Sequence, residues 1–131
     1  MEILGWMVTT AVALLLLWQL AMWLQAQRSQ GRPAPDTRSV DGEAAVDPVR
    51  VYYFYAEHCG HCRSMTPLVE RLRVSHRNLV KLDIAEAREL ARAFGVVATP
   101  SFIQVTDGLI RRVMLGALSE KQLCALLKEP A

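Results

Sequence analysis

The sequence predicts an α/β domain, a four-stranded mixed sheet with three helices on its faces, preceded by one transmembrane helix. Three observations lead there. An uncharged apolar run covers Ile3 to Leu24. Residues 49–131 alternate between segments with the two-residue period of strands and segments with the 3.6-residue period of helices. Asp107-Gly108 stands between two apolar runs, the signal of a two-residue hairpin.

The elements follow in order. ILGWMVTTAVALLLLWQLAMWL holds 22 residues without a charge, and at ~1.5 Å per residue such a helix spans the ~30 Å hydrocarbon layer. A cleaved signal peptide would carry a basic start, a shorter apolar core and a small-x-small cleavage site. Met1-Glu2 brings no Lys or Arg, the run is too long, and Leu24-Gln25-Ala26 is a poor cleavage site. A buried core helix is the other alternative, but Trp6, Trp18 and Trp23 suit the two bilayer interfaces better. Residues 1–24 are therefore expected to be a single-pass membrane anchor. Residues 25–48 are polar, with Gly31, Pro33, Pro35 and Gly42 and no hydrophobic periodicity, and read as a flexible linker. The soluble domain is expected at 49–131.

Within that domain, Val51 to Tyr55 is short, aromatic and apolar on both faces, as a strand inside a covered sheet should be. The helix after it places Met65, Leu68, Val69 and Leu72 on one stripe. Leu79 to Ile84 is the second strand, with Val80, Leu82 and Ile84 on one face. A second helix, from about Glu86 to Phe94, buries Ala87, Leu90, Ala91 and Phe94 and stops at Gly95. Ser101 to Thr106 and Leu109 to Leu115 form the hairpin. The last helix opens at Ser119, where Ser119-x-x-Gln122 is a capping box, and buries Leu123, Leu126 and Leu127. The order is β-α-β-α-β-β-α. A right-handed crossover makes the first two strands parallel, and the hairpin supplies an antiparallel edge.

Charge excludes one class of function. The chain carries a formal +2, and residues 49–131 hold twelve Lys or Arg against eight Asp or Glu, scattered among helices without interleaved aromatics. That pattern is a solvated surface rather than a nucleic-acid site.

The chemistry concentrates at Cys59-Gly60-His61-Cys62, between a buried strand and the start of a helix. Unpaired N–H groups and the positive end of the helix dipole favour the thiolate there, so Cys59 reads as the nucleophile and Cys62, one turn further in, as the resolving thiol. His61 adds positive charge beside Cys59 and favours the reduced form, making the pair more oxidising, and His58 can act similarly. Such a pair works on protein dithiols or disulfides, with a second redox partner to recycle it, and calls for no cofactor. Metal loading by His58, Cys59, His61 and Cys62 stays open, although His76 and Cys124 form no second ligand pair. Haem attachment does not fit, because Arg63 stands where the axial histidine would be. Cys124 is expected at the edge of the core on the last helix.

From Val49 to Lys128 these residues resemble the thioredoxin family. Phe54-Tyr55-Ala56-Glu57-His58-Cys59-Gly60-His61-Cys62 is similar to its active-site stretch, in the Cys-Gly-His-Cys form of protein disulfide isomerases. Pro67 falls where the family kinks its active-site helix, Lys81 where it has a lysine beneath the site, and Thr99-Pro100 where it has its cis-proline. Gly116-Ala117-Leu118-Ser119 resembles the turn into the last helix. The resemblance implies a trimmed thioredoxin-like fold, a thiol–disulfide oxidoreductase, Pro100 opposite the disulfide, and backbone pairing of substrate with Thr99. Departures are equally specific. Tyr53 stands where the family has a buried acid that serves the resolving cysteine, so Cys62 must use water, Lys81 or another group. His58 replaces a tryptophan, and the family's first strand and helix are largely missing. These departures keep a second reading in view, a non-catalytic binding, assembly or metal-binding module.

Two arguments about the membrane side conflict. Arg28, Arg32 and Arg38 follow the span and no Lys or Arg precedes it, which by the charge rule keeps the domain in the cytoplasm. The oxidising character implied by His61, and the oxidising compartments in which membrane-tethered thioredoxin-like proteins work, point outward. The charge rule is the one read from this sequence, and the expectation follows it.

Overall fold

A computed structural model describes residues 1–28 and 31–128. Its elements are helix α1 (Glu2–Arg28), a short helix α2 (Arg38–Asp41) running into a 3₁₀ turn (Gly42–Val46), strand β1 (Val49–Tyr55), helix α3 (Gly60–Arg73), strand β2 (Leu79–Asp83), helix α4 (Arg88–Phe94), strands β3 (Ser101–Thr106) and β4 (Leu109–Leu115), and helix α5 (Glu120–Lys128). The sheet order is β2-β1-β3-β4. β1 and β2 are parallel, with Val51 opposite Leu79, and β1 and β3 are antiparallel, with Val49 opposite Thr106 and Phe54 opposite Ser101. This is the predicted mixed sheet, a thioredoxin-like fold.

The pleat of β1 splits its side chains between two cores. Val51 and Tyr53 face α3 and α5, where Val69, Phe102, Leu123 and Leu126 join them. Tyr52 and Phe54 face the other way, onto Phe94, Ile103 and Ile110. All four β1 residues are fully buried, as a central strand covered on both faces requires. Each buried Phe or Leu side chain contributes ~1.5–3 kcal/mol.

Local signals are realised at the ends of elements. Asp107 (φ 51°) and Gly108 (φ 78°) both take the left-handed conformation that the tightest hairpin turn needs. Gln122 N–H donates to the Ser119 hydroxyl at 3.2 Å while Ser119 N–H donates to the Gln122 side chain at 2.9 Å, closing the capping box. Gly95 caps α4 at φ 76°. α4 begins at Arg88, two residues later than the periodicity suggested.

The expectation of a flexible linker over 25–48 needs correction for its described residues; residues 29–30 lie outside them. Helix α1 continues past Leu24 to Arg28, and the chain from Gly31 onward is built into the domain. Pro33 bridges to Leu109, Thr37, Asp41 and Ala44 are buried, and Val40 and Ala34 pack on the Tyr52–Phe94 core. The reason is polar. The Asp41 carboxylate accepts hydrogen bonds from Thr37 (2.6 Å), Arg50 (2.5 Å) and Tyr52 (2.5 Å), a largely buried polar cluster that no hydrophobic period announces. Its effect on Tyr52 is to push the phenol pKa well above its ordinary value, chiefly by burial and then by the bond to Asp41.

Candidate active site

β1 ends at Tyr55, and three residues later the chain turns into α3 with Cys59 as its N-cap, in extended conformation (φ −93°, ψ 116°). Its sulfur accepts the Cys62 N–H at 3.2 Å, taking the place that a serine or aspartate oxygen fills at an ordinary helix start. A thiolate is a better acceptor than a thiol, so the cap selects the ionised form. The Cys59 pKa is accordingly held below its ordinary value, first by contact with the Cys62 thiol, with help from Thr99 and the backbone N–H groups of Cys62 and His61. Cys62 is displaced upward, first by burial and then by the contact with Cys59. Cys59 is half-buried and Cys62 is 2% exposed, so the accessible sulfur is also the more acidic one.

The loop before β3 supplies the third side. The Thr99-Pro100 peptide is cis, and the Cys59 thiol donates to the Thr99 carbonyl at 3.5 Å. Cys59, Gly60, Cys62, Thr99 and Pro100 thus stand together. His58 and His61 flank the pair with exposed side chains. Lys81 is engaged elsewhere: its ammonium lies 2.8 Å from the Glu70 carboxylate and 4.8 Å from the centre of the Tyr55 ring, and that contact holds Glu70 below the usual carboxylate range.

A residue the motif did not single out for contact with the pair is Tyr53. Its hydroxyl lies 3.3 Å from the Cys62 carbonyl and 3.3 Å from the Thr66 hydroxyl, which itself donates to the Cys62 carbonyl at 2.8 Å. Burial, and then the cysteine charges, push the Tyr53 pKa up to about 12 against the opposing bond from Thr66. At the place of the family's acid this chain therefore keeps a neutral donor. The signal was available in the sequence as an alternation: Tyr53 shares its face of β1 with Val51 and Tyr55, the face that α3 covers.

Two depressions lie near the active-site turn. One, of about 300 Å³, reaches Cys62 between Tyr55, Arg63, Thr66 and Pro67. The other, of about 590 Å³, lies beside His58 between Glu57, Asp83, Ile84 and Glu86. Among the described residues no three His, Cys, Asp or Glu side chains converge to hold a metal ion. Cys124 sits half-buried against the α3–α5 core, away from the pair.

Comparison with known proteins gives a consistent result. The family profile described as Thioredoxin matches residues 43–129. The chain is 30% identical over 95 residues to a thioredoxin of Pseudomonas aeruginosa, covering 70% of this chain and 82% of that one. Among solved structures, a mutant thioredoxin from Halobacterium salinarum superposes with TM-score 0.61 at 29% identity, over 73% of this chain and 85% of the other. Reduced Schistosoma mansoni thioredoxin pre-protein gives TM-score 0.57 at 29% identity, over 66% and 82%.

Proposed function

The chain belongs to the thioredoxin family, and from that premise we propose that it is a membrane-tethered thiol–disulfide oxidoreductase acting on protein partners through Cys59 and Cys62. The observation that carries this reading is the split between the two thiols: the half-buried, more accessible one caps a helix and is acidified, the buried one is not.

The reaction follows from that split. The Cys59 thiolate attacks one sulfur of a partner disulfide, forming a Cys59–partner bond while the second partner sulfur leaves and takes a proton. Cys62 then loses its proton and attacks the Cys59 sulfur, closing the Cys59–Cys62 disulfide and releasing the first partner sulfur as a thiolate. The pair gives up two electrons and the partner gains them. A dithiol partner returns the pair to its starting state, and the same steps reversed oxidise a partner. Meeting of the partner backbone is proposed for Thr99, and its carbonyl 3.5 Å from the Cys59 sulfur supports that role.

Tethering is supported by α1. Within Glu2–Gln25 an 18-residue stretch reaches a mean hydropathy of 1.9, and none of its residues is buried. In water such a face would be a large exposed apolar patch; in a bilayer it is matched, and its backbone bonds are satisfied internally.

The test is a trap. Full-length Cys62→Ser can form the mixed disulfide but cannot resolve it, so non-reducing gels of membranes should show partner adducts that disappear with Cys59→Ser. Absence of any Cys59-dependent adduct would move the protein to the class of binding modules.

A further inference from the structure

Residues 31–34, between α1 and the active-site domain, are hydrogen-bonded to the start of β4. Gly31 N–H donates to the Ile110 carbonyl at 2.7 Å, Ile110 N–H to the Arg32 carbonyl at 2.9 Å, and Ala34 N–H to the Gly108 carbonyl at 2.8 Å. Residues 31–34 thereby cover the outer edge of β4 at its start, around Leu109 and Ile110. Asp41 then locks onto Arg50 and Tyr52, and Asp47 pairs with Arg77 at 3.0 Å. The first of these fastenings follows closely on the end of α1 at Arg28.

Most of them lie at one pole, with the Asp41–Tyr52 bond reaching the middle of β1. Val49 is opposite Thr106 and Phe54 opposite Ser101, so the Asp107-Gly108 turn sits at the start of β1 while Cys59 and Pro100 sit at its far end. At ~3.3 Å per residue, the length of β1 separates the two poles by about 20 Å.

We infer that residues 31–47 are a rigid mount, which keeps the hairpin pole near the membrane and presents Cys59 from the opposite pole to disulfides standing clear of the bilayer. The mount rests on the membrane-spanning reading of α1, and the partner class rests in addition on the redox reading of the pair, which the energy-transfer measurement below does not use. From the end of the candidate span at Gln25 to Gly31, even an extended chain reaches only about 20 Å, and Cys59 lies one sheet length beyond. A free linker over 25–48 would let the domain turn and bring Cys59 down to the headgroups; a mount does not. The partner class that fits is a disulfide in a water-exposed protein domain, rather than a thiol held at the lipid surface.

The experiment uses the full chain in lipid vesicles, with Cys59, Cys62 and Cys124 changed to Ser and a donor dye on one introduced cysteine. The sites are Val74→Cys, 90% exposed at the far end of α3, and Glu57→Cys beside the pair. With energy-transfer acceptors on the headgroups, transfer from position 74 should exceed that from position 57 by about two-fold or more, since the length of α3 at ~1.5 Å per residue lies between them. Equal transfer, or more from position 57, overturns the mount. No transfer from either site, with the chain failing to float with the vesicles, overturns it through the loss of the span and leaves the redox reading intact. As a second measurement, the unmodified chain should reduce a soluble protein disulfide about ten-fold faster than the same disulfide on a short lipid-headgroup spacer, where the effective concentration is near zero. A ratio near one contradicts the inference.

Discussion

Replacing Asp41 with alanine should destabilise the protein by about 3–4 kcal/mol, although the residue lies in a segment with no hydrophobic pattern. The magnitude follows from the surroundings. The Asp41 side chain is 1% exposed and its Arg50 partner 16%, and three donors converge on the carboxylate at 2.5–2.6 Å. A hydrogen bond to a charged group contributes ~1.5–3 kcal/mol, and removing one member of a buried pair costs ~3–5 kcal/mol because the other charge is stranded. Some water reaches Arg50, which sets the estimate in the lower half of that range. Against a total of ~5–15 kcal/mol the loss is severe, and the melting temperature should fall on the order of 10–20 °C. Calorimetry of the full chain in detergent micelles reads it directly. The control is Asp36→Ala, whose carboxylate and Arg38 partner are 62% and 89% exposed and whose loss should leave no measurable change. If Asp41→Ala were as mild as Asp36→Ala, residues 31–47 would not be docked on the sheet in solution.

Two further outcomes follow from the site. Because Cys59 is acidified and Cys62 is not, alkylation of Cys59 should rise to its plateau with a midpoint below about 8.5, the ordinary thiol value, while Cys62 stays unmodified until higher pH; peptide mass spectrometry after timed alkylation reads both. Tyr53→Phe removes the hydroxyl contacts to Cys62 and Thr66 but keeps the ring packing on Phe102, whose centroid is 5.0 Å away. It should cost about 1 kcal/mol in urea unfolding, and the phenol should titrate near pH 12 in the folded wild type.

What was legible in the sequence was whatever repeats or punctuates. Leu68, Val69 and Leu72 announce α3 by spacing, Asp107-Gly108 announces the hairpin by turn chemistry, and Ser119 with Gln122 announces the start of α5. The cysteine pair could be placed at a strand-to-helix junction for the same reason. What remained hidden depends on contacts between residues far apart in the chain. Thr37 and Asp41 are buried only because Tyr52 and Arg50 come to meet them, and a polar stretch with two prolines gives no local sign of that. Lys81 illustrates another limit: its position in the strand was readable, but its partner Glu70 lies on a different element. Tyr52 and Tyr53 are neighbours of identical chemistry with opposite contacts, one holding Asp41 and one touching the Cys62 carbonyl. Only the pleat separates them.

The central claim is that Cys59 and Cys62 exchange disulfides with proteins, and turnover tests it most directly. The purified full-length chain, supplied with a small dithiol reductant, should accelerate reduction of a protein disulfide well above the rate of the reductant alone. Cys59→Ser should return the rate to that background. A wild-type chain whose two thiols both titrate with a maleimide reagent, yet which gives no acceleration, would contradict the account.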